Sequence, residues 1–97
     1  MISKTIIVTG ASRGIGKALV EELAANKEHH VIALSRDLKT MQHNFNALEN
    51  VRCYAFDLEL NVKEQITSII EKYPKIDLLI NNAGYLVKSS IPNIERN

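Results

Sequence analysis

Short apolar runs alternate with segments of helical periodicity along the chain, and this alternation limits the possible folds more than any other feature. The runs are Ile6–Val8, Val31–Leu34, Val51–Phe56 and Ile76–Ile80. Each run is typical of a strand buried on both faces. Strands separated by helices form parallel sheets with right-handed crossovers. The sequence therefore predicts an α/β fold, a doubly wound parallel sheet with strand order 3-2-1-4 and helices on both faces.

Apolar spacing and capping residues mark the helices between the predicted strands. The apolar face of the first helix comprises Ile15, Ala18, Leu19 and Leu23. Asp37 is expected to cap the second helix, whose apolar positions are Leu38, Met41, Phe45 and Leu48. Asn61, followed by Glu64, resembles a capping box for the third helix, which Pro74 ends.

The composition excludes several classes of protein. The chain has 97 residues, of which 45% are hydrophobic and 24% charged, and these values indicate one small ordered domain over residues 1–97. A net charge of +1 gives no electrostatic case for binding nucleic acid or an anionic membrane. The single cysteine, Cys53, fits a reducing compartment, so we expect a cytoplasmic protein. No apolar run reaches transmembrane length.

Three glycines stand where the first strand passes into the first helix. Gly10, Gly14 and Gly16 follow a G-x-x-x-G-x-G spacing, and the predicted strand order places them at the switch point of the sheet, where ligands bind. Glycines at the start of a helix let phosphate approach the free N–H groups. The spacing differs from a P-loop, because five residues separate Gly10 from Gly16 and Ala18 follows Lys17. A tight structural turn without a ligand is the alternative interpretation.

The stretch Thr9–Gly16 resembles the cofactor signature of the short-chain dehydrogenase/reductase family. Asn81–Gly84 is similar to the second signature of that family, and Asp57-Leu58 resembles its adenine-contacting acid and the neighbour of that acid. The resemblance implies a partial Rossmann-like fold and hydride transfer between a nicotinamide dinucleotide and a carbonyl or alcohol. The cofactor-binding residues that it implies are Gly10, Ser12, Arg13, Gly14, Ile15, Gly16, Arg36, Asp57, Leu58, Asn82, Ala83 and Gly84.

Two arginines point to NADP as the dinucleotide. Arg36 lies about 20 positions beyond the glycines, where Rossmann-like folds contact the adenosine ribose. An arginine there can pair with the 2′-phosphate of NADP, and Arg13 can approach the same group. Alternatively both arginines are solvated and Asp37 binds the ribose of NAD. Asp57 and Asn82 also have structural alternatives, since Asp57 can cap a turn and Asn82 can hold the fourth strand against the first.

The catalytic pattern of the family is absent from these 97 residues. The resemblance implies a tyrosine four residues before a lysine, but neither Tyr54, Tyr73 nor Tyr85 has lysine at that position. We therefore expect no catalytic residue here, no metal ligand set, and a truncated cofactor-binding portion of an NADP-dependent oxidoreductase that is inactive as this fragment. The alternatives are a stand-alone NADP-binding or regulatory module and, less in keeping with the motifs, a mononucleotide-binding protein.

The expected partners follow from the family resemblance, the net charge and the open edge of the predicted sheet. They are the dinucleotide, an unknown small carbonyl or alcohol substrate for the longer enzyme, and a second copy of the chain, with no nucleic acid and no membrane. The homo-oligomer is expected because Ile76–Ile80 would lie at an open sheet edge, and unpaired strand edges pair with other chains.

Overall fold

The computed structural model describes residues 3–82, which form one parallel sheet flanked by helices. In chain order the elements are β1 (Lys4–Thr9), α1 (Gly14–Ala24), β2 (His29–Ser35), α2 (Leu38–Asn44), β3 (Val51–Ala55), α3 (Val62–Lys72) and β4 (Leu78–Ile80). The strand order is β3-β2-β1-β4, and every neighbouring pair is parallel. The predicted doubly wound order is therefore confirmed.

Alternate residues of β2 enter two separate cores. Val31 and Ala33 pack in one cluster with residues of α1 and α2, including Val20 and Met41. Ile32 and Leu34 pack on the opposite face, where Ile69 of α3 joins them. All four of these β2 side chains are fully buried. The period of two along a strand thus explains why its sequence is apolar at each position from 31 to 34, with helices covering both faces.

The buried face of α1 matches the prediction in part. Leu19 and Leu23 pack against the core as expected, but Ile15 is 72% exposed and Ala18 is exposed, whereas Gly16, Val20 and Ala24 are buried. The rotation of α1 is set by Gly16, which lies directly against the main chain at the end of β1. Apolar spacing alone could not reveal this contact, because glycine carries no side chain that a periodicity argument can count.

Two predicted helix limits also need correction. Helix α2 ends at Asn44, before the predicted apolar positions Phe45 and Leu48, because tight turns take over where Leu48 N donates to Phe45 O at 2.9 Å. Leu48 still packs against the core that was predicted for it. Asn61 does stand at the N-cap of α3, but its side chain makes no capping bond, and its φ of 31° is left-handed. The predicted capping box is therefore wrong.

Strand β4 is shorter than predicted and lies at one edge of the sheet. Asp77 is not part of its ladder, because the Asp77 carboxylate accepts from Thr5 N at 2.8 Å while Asp77 N donates to Thr5 O at 2.9 Å. Leu78 and Leu79 are 49% and 39% exposed. Among residues 3–82, β1 is the sole strand that pairs with β4. No helix within these residues has the length and apolar character needed to cross a membrane.

Candidate functional site

A cleft of about 780 Å³ opens at the carboxyl ends of the central strands. It is lined by Gly10, Ser12, Arg13, Ser35, Arg36, Asp37, Phe56, Leu58, Glu59 and Asn82. Six of these residues were predicted from the sequence, and they come from three loops and the residues after β4. Of the other predicted residues, Gly14 and Ile15 are exposed at the turn and Gly16 is buried beneath it. Ala83 and Gly84 lie outside the described residues.

No side chain of the described residues caps the N-terminus of α1, where the helix dipole places a partial positive charge. Gly10 and Gly14 have φ values of 62° and 63°, which glycine adopts readily. The N-cap residue is Arg13, whose side chain makes no capping bond, and the first turn of α1 contains no acid. Lys17 N donates to Arg13 O, so the preceding N–H groups have no acceptor within the helix. An uncapped helix start with a neighbouring cation suits an anionic ligand.

Gly16 has a packing role that the sequence did not assign to it. A Cβ at this position would lie 2.0 Å from Gly10 O and 2.7 Å from Asn82 Nδ2. Only glycine therefore permits α1 to approach the end of β1 so closely. At Gly14, by contrast, a Cβ would meet nothing within 4 Å. The two glycines thus differ: Gly16 allows close packing against the main chain of Gly10, whereas Gly14 provides a left-handed bend that faces open space.

Polar bonds tie the residues after β4 to the glycine turn. The Thr9 hydroxyl donates to Asn81 Oδ1 at 2.9 Å and accepts from Asn82 N at 2.8 Å. Asn82 Nδ2 donates to Gly10 O at 3.4 Å. Asn82 therefore holds the end of β4 against the end of β1, which was the structural alternative for this residue, and it also lines the cleft. Thr9 and Asn81 were missed, although the strand order 3-2-1-4 already placed these polar residues side by side.

Helix α2 holds the glycine turn from the other side. Asn44 Nδ2 donates to the main-chain oxygen of Ser12 at 3.3 Å, across 32 residues of sequence. Ala11 N donates to Leu34 O at 3.1 Å, which joins the turn to the end of β2. Both bonds use main-chain groups of the turn, so no side-chain pattern predicted them.

Arg36 and Asp37 stand where β2 passes into α2, but they face different partners. The Asp37 carboxylate caps α2, accepting from the Thr40 hydroxyl at 2.7 Å and from Thr40 N at 3.2 Å. These two bonds lower the pKa of the Asp37 carboxyl, and the charge of Arg13 lowers it further. The predicted cap is confirmed. Arg36 and Asp37 are both exposed and both line the cleft, but they differ in their bonds: the Asp37 carboxylate already accepts two bonds from Thr40 at the start of α2, whereas the Arg36 side chain makes no bond within the described residues.

The β3–α3 connection closes the cleft on its third side. Asp57 O accepts from Leu60 N at 3.2 Å, which makes a turn with Leu58 and Glu59 at its centre. Both central residues line the cleft. The Asp57 carboxylate accepts from Glu59 N at 2.9 Å, so the turn-capping role that was considered for Asp57 is present. A carboxylate retains further lone pairs beyond one such bond, which leaves the residue able to accept from a ligand.

The tyrosines and the cysteine of the described chain have no reactive setting. Tyr54 and Tyr73 bond to each other through their hydroxyls at 2.6 Å, and burial together with this bond raises the pKa of Tyr73 to about 12. Acid–base catalysis needs a lowered pKa in a tyrosine. Burial likewise raises the pKa of the Cys53 thiol. Tyr85 lies outside the described residues. Within residues 3–82, no three His, Cys, Asp or Glu side chains group as a metal site.

The arrangement of the cleft suits an extended ligand with a phosphate near its middle. The strand order places the glycine turn after β1, Arg36 after β2 and the Leu58 turn after β3. A ligand crossing the strand ends would therefore meet an anion site, then a cation, then a half-buried wall that includes Phe56. A dinucleotide has these parts in this order, from pyrophosphate through ribose to base.

Comparison with known proteins agrees with this geometry. The family model described as short chain dehydrogenase matches residues 4–97. An NADPH-dependent pterin aldehyde reductase from Arabidopsis thaliana is 34% identical over 93 residues, covering 91% of this chain and 38% of the reductase. An NAD-dependent glycerol dehydrogenase from Listeria innocua is 37% identical over 87 residues, covering 84% of this chain and 33% of the dehydrogenase.

A solved structure of similar fold supports the same assignment. The crystal structure of an NADPH-bound carbonyl reductase from chicken fatty liver superposes with a TM-score of 0.73 and 28% identity, over 88% of this chain and 36% of the reductase. The chain thus spans somewhat more than a third of this structure and of the pterin aldehyde reductase, and about a third of the glycerol dehydrogenase. The fold, the cleft and the match over residues 4–97 together assign this chain to the short-chain dehydrogenase family of oxidoreductases.

Proposed function

We propose that residues 1–97 form the NADP-binding portion of a short-chain oxidoreductase. The observation that carries the choice of NADP is the contrast between Arg36 and Asp37. Both residues line the cleft, but the Asp37 carboxylate is engaged in capping α2, whereas the Arg36 guanidinium bonds to no group of the described residues. A guanidinium can form two parallel charge-assisted bonds with a 2′-phosphate, and Arg13 adds a second positive charge on the same side of the cleft.

The proposed cofactor contacts divide among the three loops. The glycine turn, with Gly10, Ser12, Gly14, Ile15 and Gly16, would hold the pyrophosphate. Arg13 and Arg36 would hold the 2′-phosphate, and Asp57 with Leu58 the adenine. Asn82, Ala83 and Gly84 would lie toward the nicotinamide. When bound, the cofactor supplies the hydride donor or acceptor, and the protein residues bind and orient it.

The longer protein would reduce carbonyls or oxidise alcohols, since the similar proteins described above are an aldehyde reductase, a carbonyl reductase and a glycerol dehydrogenase. The acid–base residues for that step are not among the tyrosines of these 97 residues. Because no tyrosine here stands four residues before a lysine, the second candidate is a stand-alone, non-catalytic NADP-binding module. The intact mass of the native protein separates this module from a longer oxidoreductase. We also propose a cytoplasmic location, because the one cysteine is a free thiol.

A pair of charge-reversal variants tests the choice of NADP. Calorimetry should find NADPH bound about ten- to a hundredfold more tightly than NADH, because a charge-assisted bond contributes about 1.5–3 kcal/mol. Arg36→Asp should erase or invert this preference. Lys39→Asp is the matched control, since it makes the same charge change at an exposed position in the first turn of α2, outside the cleft lining. Equal affinity of the wild-type protein for the two cofactors would contradict the assignment.

A further inference from the structure

The side chain of Gln65 bonds to both ends of the turn that forms the third wall of the cleft. Gln65 Oε1 accepts from Asp57 N at 2.8 Å, and Gln65 Nε2 donates to Asp57 O at 2.8 Å. The same Nε2 also donates to Leu60 O. The amide therefore uses both of its hydrogens and its oxygen on one four-residue turn, which begins at Asp57 and ends at Leu60.

The position of Gln65 makes this arrangement rigid. Its main chain belongs to α3, where Gln65 N donates to Asn61 O at 3.1 Å, and α3 is anchored on the sheet by the buried Ile69. On the strand side, Phe56 N donates to Ser35 O at 2.8 Å and continues the ladder up to Asp57. The turn is thus fixed between a packed helix and a packed strand, with Gln65 as the connection between them.

The central residues of the turn, Leu58 and Glu59, are the part that faces the cleft. Because the main-chain groups of Asp57 are satisfied by Gln65 and Leu60, the turn keeps for a ligand, among other groups, the Leu58 N–H and the remaining lone pairs of the Asp57 carboxylate. A donor and an acceptor side by side match the ring nitrogen and the amino group of adenine. Hypoxanthine, with a carbonyl in place of the amino group, does not offer that donor.

From these contacts we infer that Gln65 is a positioning residue for the adenine end of the cleft, which it serves by holding the Asp57–Leu60 turn in shape. This inference rests on the proposed dinucleotide function. Gln65 itself bonds to main-chain groups and touches no cofactor atom in this role. Its loss would leave Asp57 N without an acceptor and remove the donations to Asp57 O and Leu60 O, so that only the bond from Leu60 N to Asp57 O would hold the turn.

Adenine selectivity is the readout that separates positioning from a general role in stability. In the full chain, NADP should bind about tenfold more tightly than its hypoxanthine analogue, as one hydrogen bond to a charged acceptor would give. Gln65→Ala should weaken NADP binding about tenfold and reduce the preference for adenine to less than about threefold. Lys63→Ala, at an exposed position in the same turn of α3, is the control and should match the wild type.

The isosteric variant Gln65→Glu removes the two donations while keeping the size of the side chain and the acceptor for Asp57 N. We expect it to lose adenine preference as Gln65→Ala does, and it decides the question if the alanine variant fails to fold. A folded Gln65→Glu or Gln65→Ala protein with wild-type adenine preference would overturn the inference while leaving the proposed function intact. Absence of dinucleotide binding by the wild-type protein would overturn both.

Discussion

The cleft at the carboxyl ends of the strands and the outer edge of β4 differ in how their groups are partnered. Around the cleft, Thr9, Asn82 and Asn44 bond to the glycine turn or to the residues beside it. Along β4, apolar side chains dominate, and Leu78 and Leu79 are 49% and 39% exposed. Within the described residues, the outer edge of this strand pairs with no other strand.

Within residues 3–82, the walls of the cleft are held by their own bonds, whereas the outer edge of β4 is left unpaired. The β4 edge offers main-chain hydrogen bonds and apolar surface together, which is the combination that draws another strand. We therefore expect changes at the cleft to act on ligand binding and fold within one chain, and changes at β4 to act on association between chains.

The largest effect is expected at the packing contact beneath the cleft. Gly16→Ala would place a Cβ 2.0 Å from Gly10 O, so α1 or the turn must move. Overpacking of this kind costs about 1–3 kcal/mol and at times more, and here the contacted atom is main chain, so we expect about 3 kcal/mol. Urea unfolding measures it. Ala18→Gly, at an exposed site of the same helix, is the control for helix propensity alone. A Gly16→Ala protein with wild-type stability would contradict the close contact.

A smaller loss of stability but a selective loss of binding is expected at Gly14. A Cβ there meets nothing within 4 Å, but the φ of 63° costs a non-glycine residue about 1–2 kcal/mol. Gly14→Ala and Gly14→Val share this kind of backbone strain and differ in bulk. If pyrophosphate lies over the turn, the valine variant should bind NADPH far more weakly than the alanine variant when both are folded, as titration calorimetry would record. Equal affinity of the two would mean that the open space at Gly14 is not the ligand site.

The architecture was predictable because each local signal agreed with the others. Apolar runs at the right intervals predicted the strands, and the glycines at the end of β1 predicted both the switch point and the cleft. The choice between Arg36 and Asp37 stayed open in the sequence, although the spacing Asp37-x-x-Thr40 carried the signal for a cap. The structure adds that both carboxylate oxygens of Asp37 take part in the predicted cap.

The errors arose where a contact between distant residues overrides a local pattern. The face of α1 was predicted only in part: Leu19 and Leu23 pack as expected, but Gly16, which lies against Gly10 O, is buried where Ile15 was expected. Gln65 was missed because its side chain bonds to main-chain groups eight residues earlier, and no periodicity encodes such a bond. The cap predicted for Asn61 failed because its main chain is left-handed, whereas a capping residue usually has an extended main chain.

The smallest effect is expected at the β4 edge. Self-association of the chain should rise with concentration in sedimentation experiments, and Leu79→Lys should weaken it several-fold, by about 1 kcal/mol, because a lysine on an edge strand opposes pairing. Leu60→Lys makes the same chemical change at a side chain that is 60% exposed in the turn between β3 and α3, and it should leave association unchanged. A wild-type protein that stays monomeric at every concentration would contradict the homo-oligomer expected from the sequence.

Backbone amide shifts during titration with NADP test the central claim most directly, because they compare both regions in one experiment. If the cleft binds the dinucleotide, we expect large shifts for Gly14, Ile15 and Leu58 around the cleft, and shifts near zero for Asp77 and Leu79 at the edge of β4. Saturation of the cleft signals should follow a single binding curve. Shifts concentrated along β4, or no shifts at the glycine turn at saturating NADP, would contradict the assignment of this cleft as the dinucleotide site.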